Sequence, residues 1–298
     1  MSPSHSLSRR TFLTSAAAVG GFAAVPGLLS GCSSTDSSDD LLATIRKQGY
    51  VRIGFANEAP YGFKDGGQLA GEAPTLHKQI FKALGVPQLR ASIVEFGALI
   101  PSLNANRFDV VSAGMAITSE RCENAIFSEP EFISPTALMV RKGNPKKLAD
   151  LGTCSSAGVR VGVLTAAVEK SYAQAAGVSN DKIISIQGQQ DGLDALVAGR
   201  IDAFALTGIS LNWLAKANAG APVEVLSPFV PMVKGEKQYS PGGAVFRSKD
   251  TALRDAFNVE LKKITSDPDR YVGLVGKYGF GKSEIPPADL TTAALCKS

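Results

Sequence analysis

Residues 51–55 read Val-Arg-Ile-Gly-Phe, and residues 159–163 repeat the pattern as Val-Arg-Val-Gly-Val. A second motif, Leu-x-Ala-x-Arg-x-Asp, occurs at residues 103–109 and again at residues 196–202. The first motif is an apolar, β-branched run that suits a buried strand, and the second ends a helix and enters another strand. Helix-period apolar residues lie between the two motifs in each half. The chain therefore predicts two copies of a doubly wound α/β unit, each with a parallel sheet.

Two such units side by side leave a cleft at the carboxyl ends of their strands, where sheets of this kind bind ligands. After the second unit, residues 240–246 favour a strand, and an amphipathic helix follows. If this tail returns to the first unit, the chain crosses between the lobes twice, at 137–142 and 239–246, and forms a two-strand hinge. The predicted domains are residues 41–138 with 243–298 for lobe 1, and residues 139–242 for lobe 2.

The composition excludes several classes of function. The 298 residues carry 31 basic and 27 acidic side chains, and a formal charge of +4 is too small for a nucleic-acid-binding surface. His5 and His77 are the two histidines, so zinc enzymes that need two or three are excluded. The four cysteines form no C-x-x-C motif. We therefore predict no metal, no cofactor and no nucleic-acid partner.

Residues 1–31 have the features of a lipoprotein signal peptide. Arg9 and Arg10 resemble a twin-arginine export signal, and the apolar stretch after them contains breakers that weaken a membrane-span interpretation. Residues 29–32, Leu-Ser-Gly-Cys, resemble a lipoprotein signal-peptidase box, which makes Cys32 the predicted lipidation site. Residues 32–40 then form a flexible polar tether. The mature chain is expected outside the cytoplasm, anchored to the outer face of the cell membrane.

An extracytoplasmic location permits disulfides. Cys122 and Cys296 can pair, with Cys154 as an alternative partner, and the connectivity does not follow from the sequence. We favour the pair Cys122–Cys296.

The chain resembles solute-binding proteins of ABC importers, in the group that binds polar amino acids and related zwitterions. The stretches that carry this resemblance are residues 51–60, 113–121, 127–130, 140–144 and 199–203. Within that group, the stretches that most resemble ectoine- and hydroxyectoine-binding proteins are residues 57–60, 95–101, 120–122 and 295–296. The resemblance implies a two-lobed periplasmic-binding-protein fold of type II.

The loop at residues 114–120, which follows a predicted buried strand of lobe 1, leads to the first candidate ligand residues. Arg121 is placed there to grip a carboxylate through two parallel N–H···O bonds. Taken alone it is more typical of a surface arginine, and the resemblance favours ligand binding. Gly114 would let the backbone approach the ligand, or would simply form the turn at the strand end.

An aromatic and acidic half-box for a delocalised cation is the second candidate feature. Glu58 and Tyr61 follow the first strand, and Phe96 follows a strand that ends near residue 95. A cation over an aromatic face gains about 0.5–2 kcal/mol. The alternative is that Tyr61 and Phe96 are core or cleft-edge residues, with Phe63 as the other candidate aromatic.

Three positions depart from the amino-acid-binding members that the chain resembles. Those proteins carry Asp where this chain has Thr207, Ser or Thr where it has Ala116, and Gly-Thr-Thr around residues 166–168. A compact ammonium would have poorly met N–H donors here, whereas a ring amidinium needs fewer localised acceptors. The ectoine-binding members in turn carry a third aromatic at the position of Ala116 and Thr at that of Val168, so we expect a looser box or a larger ligand.

Lobe 2 contributes three further candidates. Glu169 matches an acidic residue of the ectoine-binding members, although a solvated carboxylate in the first turn of a helix is an equal alternative. Thr165 and Thr207 are candidate hydroxyl contacts.

Two other features, a phosphate-loop match and a single helical histidine, are weak evidence for nucleotide binding or catalysis. Residues 276–283 match the phosphate-loop expression, but prolines at 286 and 287 obstruct the helix that this motif needs. His77 lies on a predicted helix and is expected to be solvated or partly packed. The remaining enzyme alternative is a cyclodehydratase with the same two-lobed fold, in which Glu58 would act as a base.

These observations predict a binding protein and no enzyme. We expect a monomeric, lipid-anchored component of an ABC importer that captures a small zwitterion, ectoine or hydroxyectoine, and presents it to the permease subunits. The alternative is a polar amino acid-binding protein of the same kind.

Overall fold

Two five-stranded sheets organise the chain in the computed structural model, which describes residues 41–297. The predicted signal peptide, the tether and Cys32 lie outside the described residues. The strands are β1 (Tyr50–Phe55), β2 (Phe63–Asp65), β3 (Gln68–Ala70), β4 (Gln88–Ile93), β5 (Val110–Ala116), β6 (Ile126–Phe127), β7 (Thr136–Arg141), β8 (Val161–Leu164), β9 (Ile183–Ile186), β10 (Ala203–Thr207), β11 (Val223–Val225), β12 (Met232–Val233), β13 (Glu236–Lys237) and β14 (Gly242–Phe246). The helices are α1 (Leu41–Gln48), α2 (Glu72–Ala83), α3 (Leu99–Asn104), α4 (Ser119–Cys122), α5 (Leu151–Ser156), α6 (Glu169–Ala175), α7 (Gln189–Val197), α8 (Gly208–Ala217), α9 (Thr251–Thr265), α10 (Pro268–Val275) and α11 (Thr292–Leu295). Within residues 41–297, none of the helices has both the length and the apolar character needed to cross a bilayer.

Both sheets are mixed. Sheet 1 has the order β4-β1-β5-β14-β6, and sheet 2 has the order β11-β7-β10-β8-β9. Three neighbouring strands in each sheet run parallel, namely β4, β1 and β5 in sheet 1 and β9, β8 and β10 in sheet 2. The antiparallel strands β14 and β7 pair with β5 and β10, respectively. Each of these two strands follows a passage of the chain from the other sheet. The predicted two-lobed α/β fold is confirmed, whereas the prediction of a parallel sheet holds only for three strands of each sheet.

The sequence repeat corresponds to a repeated structure. Arg52 Nη2 donates to Asp109 Oδ1 at 2.7 Å, and Arg160 Nε donates to Asp202 Oδ2 at 3.2 Å. The same arginines also donate to backbone carbonyls, Arg52 to that of Asn106 and Arg160 to that of Gly199. Both acceptor residues have a positive φ and lie just after the helix that precedes the aspartate. The arginine and the aspartate of the two motifs therefore tie the start of one strand to the start of its parallel neighbour.

The chain passes between the sheets in two segments that run side by side. Residues 128–135 lead from β6 to β7, and residues 238–241 lead from β13 to β14. Ser134 N donates to the Tyr239 carbonyl at 3.0 Å, and an isolated bridge joins Phe132 to the start of β14. We call these two stretches the crossing segments. Both crossing segments begin before the positions expected from the sequence, which were 137–142 and 239–246. The bounds of the two lobes remain a prediction.

Apolar cores cover both faces of each sheet. On sheet 1, α2, α9 and α10 pack on one face, and α3 packs on the other. On sheet 2, α5 and α6 cover one face and α7 and α8 cover the other. The helices therefore leave free the ends of the parallel strands, where the loops of the two lobes meet.

The expectation that His77 is solvated or partly packed is wrong. Its side chain is fully buried, with Nε2 2.9 Å from Glu131 Oε1 and the ring set edge-on to Phe257 at 5.1 Å. Glu131 lies in the first crossing segment, far from His77 in the sequence. A partner supplied by another element is what allows a polar ring to be buried on the apolar face of a helix.

Candidate functional site

A pocket lies between the two lobes, at the carboxyl ends of their strands. Its free space is about 370 Å³, a volume that includes the part open to solvent. The predicted ligand residues that line it are Glu58, Tyr61, Phe96, Gly114, Ala116, Arg121, Glu169 and Thr207. These residues come from both lobes, so the pocket is complete only when the lobes face each other.

Thr165 is the predicted ligand residue that does not line the pocket. Its hydroxyl donates to the Ile186 carbonyl at 3.1 Å, and its own N–H bonds the same carbonyl. Both polar groups thus serve the end of sheet 2.

Arg121 reaches across the pocket from a helix of one turn. The Thr118 side chain caps this helix and accepts from Arg121 N at 3.3 Å. Arg121 Nη1 donates to the Ala116 carbonyl at 2.7 Å, and Nη2 donates to the Ala166 carbonyl of the other lobe at 2.8 Å. The guanidinium carbon lies 5.3 Å from the centre of the Phe96 ring. Of the five guanidinium N–H groups, three remain for a ligand.

Burial lowers the pKa of the Arg121 guanidinium, while Glu169, Tyr172 and Glu120 raise it. An arginine stays protonated in proteins despite such a shift. The pocket therefore contains a permanent positive charge.

Two buried carboxyl groups, those of Glu58 and Glu169, line the same pocket. Burial raises the pKa of Glu58 to about 7, opposed by the hydrogen bond that Ser210 Oγ donates to Oε1 at 2.9 Å and reinforced by Glu169. Burial also raises the pKa of Glu169 to about 7, opposed by its own backbone N–H and by Arg121. Glu169 is 2% exposed, so it is not the solvated carboxylate of the alternative interpretation. The arrangement suits a ligand that carries both a carboxylate and a cation.

The Tyr61 ring is part of a packed aromatic group. Its centre is 4.8 Å from that of Phe132, and its hydroxyl donates to Thr207 Oγ1 across the cleft at 3.1 Å. The side chain is only 2% exposed, so Tyr61 is both a core residue and a pocket wall. Phe63, the other candidate, packs instead against Trp213 at 5.4 Å and does not line the pocket.

Gly114 accommodates Tyr61. Its φ of +60° lies in the left-handed region, and a Cβ at this position would be 2.3 Å from Tyr61 Cδ1. The lack of a side chain thus serves the packing of an aromatic wall, in addition to the turn at the end of β5.

The crossing segments add two pocket residues that the sequence analysis missed. Phe132 comes from the first segment, and Ser240 comes from the second, where its φ is 46°. Ser240 Oγ lies 3.1 Å from the hydroxyl of Tyr172 in lobe 2. Their signal in the sequence was indirect, since the segments that join two lobes necessarily form the floor of the cleft between them.

A disulfide joins Cys122 and Cys296, with their Cα atoms 5.6 Å apart. It is the pair that we favoured, and it follows directly on Arg121. Cys154 is a free thiol buried in the lobe of sheet 2, where burial raises its pKa to about 12.

Two lobes that enclose a buried, charged pocket are the architecture of a protein that captures a small solute. The chain belongs to the bacterial extracellular solute-binding proteins, family 3, whose family model matches residues 51–281. A probable amino-acid ABC transporter periplasmic-binding protein of Sinorhizobium fredii is 34% identical over 262 residues, which cover 86% of each chain.

Solved structures show the same similarity. The crystal structure of EhuB in complex with hydroxyectoine has 36% sequence identity and a TM-score of 0.76, and the match covers 86% of this chain and 97% of that one. An ancestral amino acid-binding protein, a precursor of cyclohexadienyl dehydratase, has 27% identity and a TM-score of 0.69, with 80% and 99% covered. Two of these similar proteins are described as binding proteins, one of which is the precursor of an enzyme, and the third is described in complex with hydroxyectoine.

Proposed function

We propose that the chain is the extracytoplasmic solute-binding component of an ABC importer and that its cleft binds ectoine or hydroxyectoine. The observation that carries the proposal is the charge pattern of the pocket, whose lining combines Arg121 with the buried carboxyl groups of Glu58 and Glu169. The similarity to a hydroxyectoine complex and to an ABC transporter binding protein supports it.

The carboxylate of the ligand would bind two of the three guanidinium N–H groups that remain on Arg121, through parallel hydrogen bonds. The ring cation would lie near Glu58, against the aromatic walls of Phe96 and Tyr61. Thr207 offers no negative charge to an ammonium, and its hydroxyl already accepts from Tyr61. A delocalised cation therefore suits this pocket better than a compact ammonium does.

Ligand binding would favour closure because the ligand contacts both lobes at once. The closed chain would then deliver the solute to the permease subunits.

Anchoring of the chain through lipidated Cys32 and action as a monomer complete the proposal. A Cys32→Ala variant should leave the membrane fraction and appear in the soluble extracytoplasmic fraction. Unchanged membrane attachment of this variant would refute the anchor.

A polar amino acid is the second candidate ligand. Glu169 lies in lobe 2 with Arg121 as a charged neighbour, so its carboxylate is a possible displaced site for an α-ammonium. The amino-acid transporter protein among the relatives favours this candidate.

Competitive calorimetric titration of the purified chain with ectoine, hydroxyectoine, arginine and glutamine separates the two candidates. We expect one of the ectoines to bind about tenfold tighter than either amino acid, a difference of roughly 1.4 kcal/mol. Tighter binding of an amino acid would overturn the ectoine assignment and retain the importer component.

A cleft enzyme of the cyclodehydratase type is a minor alternative. Its support is the Glu58 pKa of about 7, which suits a general base, and the similarity to the precursor of a dehydratase. NMR of the ligand recovered after binding tests it. We expect an unchanged ligand, and a new product would establish turnover.

A further inference from the structure

The helix that carries Arg121 is too short to hold its own position. α4 spans Ser119–Cys122, and a single turn has little stability in isolation. Its first turn is capped by Thr118, and its last residue is joined through the disulfide to Cys296, which is 174 residues away in the sequence. The disulfide therefore constrains Cys122, the residue that directly follows Arg121 in the sequence.

The far end of this link is itself anchored. We call residues 291–296 the C-terminal strap. Thr292 Oγ1 donates to the Ser128 carbonyl at 2.5 Å, and Thr292 N donates to Glu129 Oε2 at 3.0 Å. Ser128 and Glu129 begin the first crossing segment. The strap thus connects α4 to the base of the passage between the lobes.

Apolar packing fixes the same group of elements. Cys122, Leu295 and Cys296 pack against the buried cluster that includes Leu99 and Phe127. The strap consequently has a hydrogen-bonded side, toward the crossing segment, and an apolar side, toward the core of lobe 1. An anchor of this kind can transmit a positional constraint, whereas a mobile tail could not.

We propose that Cys122 and Cys296 are positioning residues for ligand recognition, which hold Arg121 in the direction needed to grip the ligand carboxylate. This inference rests on the proposed function, because it assigns a carboxylate to Arg121. Bidentate binding depends on the direction of the guanidinium plane as well as on its charge. A disulfide that only stabilised lobe 1 would leave that direction unchanged.

The ligand affinities of two cysteine variants give the first test of the proposal. Cys296→Ala removes the link and keeps the sequence around Arg121, and Cys154→Ala is the matched control because it changes a buried cysteine in the other lobe. We expect Cys296→Ala to raise the Kd of the preferred zwitterion about tenfold and Cys154→Ala to change it less than about twofold.

Arg121→Lys keeps the charge and removes the planar fork. In this background, Cys296→Ala should change the Kd less than about twofold, because no direction-dependent grip remains to be lost. Equal losses in both backgrounds would show a structural role only and would overturn the proposal, as would an unchanged Kd in the single variant.

Hydrogen exchange tests the same proposal without a ligand. When the disulfide is reduced, the amides of residues 119–125 should exchange about tenfold faster, while those of α6 should not change. Unaltered exchange at residues 119–125 would overturn the positioning role. If the chain binds none of the four solutes, the proposed function fails, and the exchange result still decides whether the strap holds α4.

Discussion

Arg121, Glu58 and Glu169 set the charge pattern of the pocket. The guanidinium is permanently charged, and the two carboxylates are buried enough that the pKa of each is raised to about 7. Backbone carbonyls of both lobes accept hydrogen bonds from the guanidinium and fix the orientation of its plane. At the scale of single residues, recognition therefore depends on groups whose charge and direction are held by neighbours.

Arg121→Ala should weaken binding of the zwitterion by at least about 2 kcal/mol, or roughly 30-fold, because it removes the partner of a desolvated carboxylate. Calorimetric titration measures the loss. Arg200→Ala is the control, since this arginine is exposed and does not line the pocket. Near-wild-type affinity of Arg121→Ala would reject the carboxylate assignment.

Affinity should fall as the solution becomes more acidic than about pH 7. The ligand cation binds the ionised form of Glu58, whose pKa is about 7 before binding, so binding below that pH must release a proton. One released proton gives a loss of roughly tenfold per pH unit, and affinity should be flat above about pH 7. Titrations between about pH 5.5 and about pH 8 measure this dependence.

Glu58→Gln provides the comparison for the pH series. It cannot ionise, so its binding should be weaker at neutral pH and its remaining pH dependence should be smaller. A wild-type profile that is flat across the same range would contradict a role for Glu58 in binding the cation. If Glu58→Gln keeps the full dependence and Glu169→Gln loses it, the titrating group is Glu169.

At the scale of elements, the end of β5 depends on a glycine. Gly114→Ala should lower the free energy of unfolding by about 1–3 kcal/mol, because the new Cβ would overlap the Tyr61 ring at a left-handed φ. Gly273→Ala is the matched control. Gly273 lies in α10 with no atom within 4 Å of an added Cβ, so alanine should raise stability by up to about 1 kcal/mol. Denaturant unfolding measures both, and equal effects would contradict the packing role.

The first residue of α2 makes the stability of the fold decrease as the pH rises. Glu72 is fully buried, and neither carboxyl oxygen has a hydrogen-bond partner among residues 41–297. Burial, together with nearby Glu131, raises its pKa well above the ordinary value. A raised pKa in the folded state means that stability is complete below the unfolded pKa of about 4.3 and is lost as the pH rises.

Glu72→Gln should therefore stabilise the chain at about pH 8, by about 1–3 kcal/mol, because the amide resembles the protonated acid. The gain should shrink toward acidic pH. Denaturant midpoints across the pH range measure it. Glu123→Gln, at an exposed position, should change stability by less than about 0.5 kcal/mol. A gain for Glu72→Gln that does not depend on pH would contradict the buried-acid explanation.

At the scale of the whole molecule, direct bonds between the lobes accompany the pocket. Tyr61 donates to Thr207, Ser210 donates to Glu58, and Arg121 donates to the Ala166 carbonyl. The pocket walls thus hold the lobes together as well as the ligand. Closure and recognition use the same side chains, so a change at one affects the other.

Tyr61→Phe should favour a more open chain and raise the Kd about two- to tenfold, because it removes one hydrogen bond between the lobes and keeps the ring. Small-angle scattering of the ligand-free chain reports the opening. Tyr278→Phe is the matched control, since the Tyr278 hydroxyl accepts from Thr75 within lobe 1. Equal scattering and equal affinity in the two variants would show that the Tyr61 bond does not contribute to closure.

Local pattern was enough to predict the architecture and most of the pocket. The repeated motifs predicted two wound units because strand runs, helix periods and the spacing within each motif are all short-range features. Glu58 and Phe96 were predicted as site residues because each follows the carboxyl end of a strand, and in a parallel sheet those ends meet at one edge. Arg121 has the same placement, but its prediction also needed the family resemblance.

Only the tertiary structure decided which side chains are available to a ligand and which already have a partner within the protein. It assigned the Thr165 hydroxyl to a backbone carbonyl, filled the space at Gly114 with Tyr61, buried His77 and brought Phe132 and Ser240 to the floor of the pocket. Each of these outcomes depends on a partner distant in the sequence. Hydrogen bonding and close packing are satisfied in space, so no local pattern specifies which distant group will meet a given side chain.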